Sequence, residues 1–213
     1  MPTTPETIAV IDFETTGLAP ATGARATEIA AVLVSGGQIV DHYASLMRSG
    51  SWVSPFIERL TGISNAMLES APPAGQVMRE VAAFIGSSPL VAHNAAFDRS
   101  FWCAELQRVG RDAHHRFACT MLLSRRLYPD SANHRLGTLA ALHRLPASGR
   151  AHRALADARV TAQLLLQMQR DVMSRYALPQ APHALLMSLQ RAARDNLAAC
   201  VARHGLREGE SIA

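Results

Sequence analysis

Residues 8–17 read IAVIDFETTG, and from Ile8 to Phe13 the run has the apolar, β-branched character of a strand buried on both faces. It nevertheless carries two acids, Asp12 and Glu14. Side chains two apart on a strand point to the same face, so the two form one acidic pair. Adjacent carboxylates repel, and burying them unpartnered is costly unless a proton, a basic group or a divalent cation compensates. A cation answers both charges at once. The competing reading ends the strand at Ile11 and leaves the acids on a solvated loop.

Working outward, Thr27 to Val34 (TEIAAVLV) and Gln38 to Leu46 (QIVDHYASL) have strand character, and Ser35-Gly36-Gly37 between them favours a hairpin. Three adjacent, largely antiparallel strands are expected at the start. From Ser54 the pattern turns helical, with short helices separated by Gly62. Gln76 to Ile85 then places Val77, Val81, Phe84 and Ile85 on one helical face. A strand is expected over Pro89 to Ala92. His93-Asn94 then reads as a strand-to-helix junction with Asn94 as N-cap, followed by a helix running towards Gly110 with Asp98 in its first turn. Helices are expected over Phe117 to Tyr128, Arg135 to Leu142 and Ala154 to Met173. A break at Leu178-Pro179 to Pro182 precedes one amphipathic helix, Ala184 to Arg203, and a polar tail, Glu208 to Ala213. Strands first, then helices alternating with a strand, predict an α/β fold with a mixed sheet.

The chain has 213 residues, 48% of them apolar and 18% charged, as in ordinary soluble globular proteins. One core domain, residues 1–176, with an extension over 177–213 accommodates this length. Cys103, Cys119 and Cys200 are odd in number and lack CxxC spacing, which fits neither a disulfide framework nor a zinc ribbon. A reducing cytoplasm is the expected location. The N-terminus has no basic region ahead of an apolar stretch, so no signal peptide is expected. No apolar run approaches the roughly 20 residues of a membrane span. All 21 basic residues are arginine, a choice that suits phosphate recognition and is equally the mark of a biased genome. GxGxxG and GxxxxGK[ST] are absent, which excludes the usual dinucleotide and P-loop signatures.

Two further acids need explanation. Asp98, in LVAHNAAFDRSF, is by itself a helix-end charge favoured by the macrodipole. His152 and Asp157, in AHRALADA, lie five residues apart, about 140° around a helix at 3.6 residues per turn. They diverge unless His152 precedes the helix, and Gly149 makes a preceding loop reasonable. Taken together, DFETTG, HNAAFD and HRALADA resemble the three motifs of the DnaQ-like exonucleases of the DEDDh type, the family of the DNA polymerase III epsilon subunit and exonuclease X. The likeness covers residues 8 to 172 and includes ERLTGIS and ACTMLLSRRLYP between the motifs.

The resemblance implies a ribonuclease H-like mixed sheet flanked by helices. It makes Asp12, Glu14, Asp98 and Asp157 ligands of two Mg²⁺ or Mn²⁺ ions, and His152 the general base. It also implies that Thr15, Thr16 and Gly17 hold the 3′-terminal nucleotide and that Leu18 and Ile63 pack on its base. Asn94 orients the site or substrate, or simply caps its helix. The expected reaction is metal-dependent 3′–5′ hydrolysis of DNA from a single-stranded or frayed end, releasing nucleoside 5′-monophosphates in proofreading or repair. The alternatives are an RNA 3′–5′ exonuclease and a non-catalytic binding module on the same scaffold; the intact set of acids argues against the second. In epsilon-like proteins a C-terminal segment reaches the polymerase. Here Leu185, Leu186, Leu189, Leu197 and Val201 suit a polymerase partner, a second copy of the chain, or the chain's own core. QLLLQM, Gln163 to Met168, faintly resembles a clamp-binding peptide but lies in an expected core helix.

Overall fold

The computed structural model describes residues 5–146 and 149–210. Its sheet has five strands in the order β3-β2-β1-β4-β5. The strand that opened the sequence reading, β1 (Ile8–Thr15), lies in the middle. It pairs antiparallel with β2 (Ala26–Ser35) and parallel with β4 (Leu90–Ala92). β3 (Gln38–Leu46) extends the antiparallel side, and β5 (Phe117–Cys119) the parallel side. Gly36 and Gly37 turn β2 into β3 with φ of 57° and 79°, the two positive values of a type I′ hairpin.

The period of two along β1 sorts its side chains between two cores. Ala9, Ile11 and Phe13 face α3 (Ala74–Ile85) and α4 (Ala95–Gln107), packing with Val77, Met78, Phe101 and Trp102. Ile8 and Val10 face the opposite layer, built around α7 (Ala154–Tyr176). Asp12 and Glu14 continue the parity of Ile8 and Val10, so the sheet's own alternation sends both acids to the α7 side. α7 can lie close there because Ala154, Ala158 and Ala162, spaced by four, are fully buried in that core. Two short helices, α1 (Pro55–Thr61) and α2 (Asn65–Glu69), are held by a separate small cluster of Val53, Ile63 and Leu68.

Two helical expectations need correction. Phe117 to Cys119 is a parallel strand, and only Thr120–Leu127 (α5) is helical. Three residues are too few to show any period, so the helical pattern of α5 masked the strand. α6 (Leu136–Leu142) follows as expected. The C-terminal helix expected over Ala184 to Arg203 is interrupted: α8 (His183–Leu189) and α9 (Leu197–Glu210) are joined by a link with a single 3₁₀ turn at Arg194–Asn196. Gln190 explains the break. Its Oε1 accepts a hydrogen bond from the Cys119 N–H at 2.7 Å and its Nε2 donates to the Phe117 carbonyl at 3.4 Å, so it holds the open edge of β5. The Ala192 carbonyl in the link is met by Arg126 Nε at 2.8 Å. Of the outcomes open to Leu185, Leu186, Leu189, Leu197 and Val201, the observed one is burial in the α7 core. α9 also takes in Glu208 to Glu210 of the expected tail, and 211–213 lie outside the described residues.

Candidate functional site

β1 does not stop at Ile11; it continues to Thr15, which excludes the solvated-loop reading of its acids. β4 is shorter and pairs with β1 only as far as Val10 and Val91. The next β1 amide pointing that way, Phe13 N–H, therefore lies past the end of its neighbour. Asp98 fills the gap, its Oδ1 accepting from Phe13 N at 3.1 Å. Only 2% exposed, Asp98 is thus fixed against the strand and is no solvated helix-end charge. Asn94 sets the approach of α4: it takes the left-handed conformation (φ 66°) that Asn tolerates, and its side chain makes no cap hydrogen bond. The expected N-cap bond is therefore replaced by a backbone role.

Asp157 arrives from the other layer, in the first turn of α7. His152 precedes that helix, as its spacing required, and turns back through a positive φ of 59°, donating its backbone N–H to Asp157 Oδ2 at 3.0 Å. Glu14, His152 and Asp157 each present a ligand atom, all within 4.8 Å of one another. Ala147 and Ser148, in the loop leading to His152, lie outside the described residues.

The electrostatics show how close the four acids are. Burial raises Asp12 well above the usual carboxyl value, and Asp98, Glu14 and Asp157 add repulsion in that order. Glu14 is pushed up to about 7 by burial, then by Asp157 and Glu28, with Arg153 opposing. Burial also raises Asp98 and Asp157. Such shifts belong to carboxylates whose burial and mutual repulsion outweigh the nearest base, Arg153, which is itself clamped to Glu28. Buried oxygen ligands clustered at one end of a rigid sheet are the donor set of a hard divalent cation, so the residues fit the metal the sequence implied.

Glu28 is the functional residue that sequence reasoning missed. It lies opposite Glu14 in the β1–β2 register. Its carboxylate holds Arg153 with two bonds of 3.1 and 2.7 Å and caps α7 by accepting from Ala154 N at 3.0 Å. His152 is therefore anchored through its next neighbour. The signal was available: an acid inside the apolar run TEIAAVLV is as odd as one inside IAVIDFETTG.

A cleft of about 550 Å³ opens over the acids. One wall is Thr15, Thr16, Gly17 and Leu18; the other is Phe56, Ile57, Leu60 and Thr61, with Phe97, His152 and Asp157 between. Gly17 lets the turn close, since a Cβ there would meet Ala24 Cβ at 3.2 Å. Thr15 Oγ1 donates to the Gly17 carbonyl at 2.7 Å, and Thr16 Oγ1 accepts from Arg25 N at 3.0 Å. Leu18 stands 88% exposed at the lip. Ile63 does not join it. Its side chain has no exposed surface and fills the cluster behind α1, so it cannot reach a base. Phe56 and Leu60 supply the apolar wall instead, and their i, i+4 spacing on PFIERLTG was readable. Asn94 is not among the residues lining the cleft.

A family model for exonucleases, RNase_T, matches residues 9–165, the span that holds every one of these acids. The chain belongs to the RNase_T exonuclease family. Within it, the likeness is to the DnaQ-like 3′–5′ exonucleases that the motifs indicated. The DNA polymerase III PolC-type of Halalkalibacterium halodurans is 40% identical over 167 residues, 78% of this chain and 12% of that protein. The chain therefore spans about an eighth of that relative's length. Exonuclease X, solved in complex with 5′ overhanging duplex DNA, superposes with a TM-score of 0.65 at 31% identity, covering 84% of this chain and 98% of that one. The nuclease domain of 3′hExo, a DEDDh family member bound to rAMP, has a TM-score of 0.66 at 21% identity, covering 77% and 92%, and shares the fold.

Proposed function

We propose that this exonuclease removes nucleotides one at a time from the 3′ end of DNA, releasing nucleoside 5′-monophosphates in proofreading or repair. The observation that carries the reading is the convergence of four carboxylates, of which Asp12, Glu14 and Asp157 line an open cleft beside His152 while Asp98 is buried against the β1 backbone next to Asp12. The DNA in the exonuclease X complex supports that choice of polymer.

In this reading the four acids hold two Mg²⁺ or Mn²⁺ ions. When bound, such ions neutralise phosphate charge and stabilise the attacking and departing oxygens of an in-line displacement. The chain's own groups do the rest. His152, exposed at the cleft beside Glu14 and Asp157, accepts the proton of the attacking water. Asp157 holds His152 through the backbone bond already described, while Glu28 and Arg153 fix the start of α7 beneath it. Thr15, Thr16 and Gly17 cradle the terminal nucleotide. Leu18 and Phe56 contact its base from opposite walls, an arrangement indifferent to base identity because every base has a π-face.

In this reading the core unit is residues 1–176 with an extension over 177–213, of which α8 and the start of α9 pack into the α7 layer. With these apolar positions occupied, attachment to a polymerase or a second copy would have to use other surfaces. No helix among the described residues is long and apolar enough to cross a membrane, and the three cysteines are free, which suits action in the cytoplasm.

A time course on 5′-labelled single-stranded and mismatched-primer DNA, run against matched RNA with Mg²⁺, Mn²⁺ or a chelator, tests polarity, polymer and metal need together. A ladder shortening from the 3′ end of DNA only with metal is expected. Equal or faster loss of RNA would move the assignment to RNA trimming, and metal-independent cleavage would end it.

A further inference from the structure

A second pocket, of about 430 Å³, lies on the same edge of the sheet as the acid cluster but on the α3/α4 face. Arg25, Arg48 and Arg108 line it against a single acid, Glu105, a surplus of two positive charges. Glu105 spends most of its acceptor capacity on the Arg25 loop. Its oxygens take Arg25 Nε at 2.7 Å, Arg25 Nη2 at 2.9 Å and the Ala26 N–H at 3.3 Å, with Arg108 Nε a further 3.9 Å away. Arg25 is equally committed, its Nη1 donating to the Ser49 carbonyl at 3.0 Å.

The other two arginines are not. Arg48 is exposed and uses one nitrogen, Nη1 donating to the Glu69 carbonyl at 3.2 Å. Arg108 is 49% exposed and, among the described residues, is met only by the long contact to Glu105. The pocket therefore presents two guanidinium forks with donors in excess, beside a Ser49 Oγ that is itself buried without a hydrogen-bond partner. The start of α3, which has no side-chain cap, adds its partial positive charge. A tetrahedral oxyanion is the complement of such a surface, and the arginine fork matches phosphate better than a point charge does.

The pocket is joined to the catalytic cleft. Arg25 N donates to Thr16 Oγ1 at 3.0 Å and Thr16 N donates to the Arg25 carbonyl at 2.9 Å, so one short loop forms the lip of the cleft and the edge of the pocket. Along α4, seven residues separate Asp98 from Glu105, about 10 Å at ~1.5 Å per residue. That is about three nucleotides at ~3.4 Å each. We propose that Arg48 and Arg108 form a phosphodiester-binding subsite that holds the polynucleotide outside the cleft while its 3′ end is hydrolysed. This deepens the function proposed above and rests on a polynucleotide being the substrate. The phosphate comes either from the strand being degraded or from its complement.

The test compares wild type with the double variant Arg48→Gln/Arg108→Gln. Binding of an oligonucleotide of about twenty residues, single-stranded in one arm and blunt duplex in the other, is measured by anisotropy in chelator between about 50 and 200 mM salt. The double variant should bind about tenfold or more weakly at the low-salt end. Its slope of log affinity against log salt should be shallower by about 1.4 for single strands or about 1.8 for duplex, two phosphate contacts' worth. A change in the single-strand arm assigns the degraded strand; a change confined to duplex assigns the complement. Hydrolysis of the p-nitrophenyl ester of thymidine 5′-monophosphate, too short to reach the pocket, should not change. An unaltered slope in both arms, absent wild-type binding, or an equal loss on the small ester would overturn the subsite. Wild-type protein that binds with the expected slope but cleaves neither substrate would instead sink the nuclease reading while leaving the subsite in place.

Discussion

Two kinds of buried acid stand side by side in this fold. Glu28 and Glu105 are both buried with an arginine clamped across both oxygens, Arg153 and Arg25 respectively. Among the described residues Asp12, Glu14, Asp98 and Asp157 make no salt bridge; Asp98 and Asp157 accept from backbone N–H groups, and Arg153 acts on Glu14 only from across its bond to Glu28. Glu14 and Glu28 are even cross-strand neighbours, so burial alone does not separate the two kinds. Partnership does. The paired acids have their charge balanced within the chain and hold elements together; the unpaired ones store repulsion that only protons or added cations relieve.

The sharpest way to break that contrast is to remove an unpaired acid. Asp12→Ala should lower nuclease turnover by about 10³-fold or more, the several kcal/mol expected of lost charge stabilisation, yet raise the melting temperature of the metal-free protein at neutral pH because a repelling group is gone. Turnover within a factor of ten of wild type would refute the assignment. His152→Ala should cost roughly 10²–10⁴ in turnover, the range for loss of a general base, with metal-induced stabilisation intact by calorimetry.

Removing a paired acid should do the opposite to stability. Glu28→Ala strands Arg153 and uncaps α7, and should destabilise by about 2–3 kcal/mol, allowing for the part-exposed arginine. Chemical denaturation measures it, and a change under about 0.5 kcal/mol would mean the clamp is ornamental.

The smallest effect is one of pH. Because Glu14 titrates at about 7 in the fold against 4.5 ordinarily, the metal-free fold binds more protons than the unfolded chain. That contribution is complete below the ordinary value and is lost as pH rises through about 7. Millimolar Mg²⁺ should therefore raise the melting temperature more at about pH 8 than at about pH 5.5. Equal shifts at the two would show that the cation does not replace those protons.

Much of this was legible in the sequence because the signals were local oddities. Asp12 and Glu14 broke an apolar strand pattern, and His152 had to lie ahead of its helix to meet Asp157. What stayed hidden depended on contacts distant in the chain. Gln190 interrupts a helix to hold β5, 71 residues away, and nothing in the amphipathic pattern of 184–203 announces that bond. Ile63 looked like a base-stacking residue until the Val53–Leu68 cluster gave it a different use. Phe117 to Cys119 was too short to declare a period. Glu28 and the Phe56 and Leu60 pair were missed despite visible signs.

The cap that Glu28 places on Ala154 spans 126 residues of chain, and the acids it helps to organise are gathered from positions 12 to 157. Asp157 follows the last of the five strands in the chain, so the site cannot be assembled from the sheet alone. Contacts of such long sequence separation carry a large loop-closure cost, and the hydrolytic centre therefore exists only once β1, α4 and α7 have all come together.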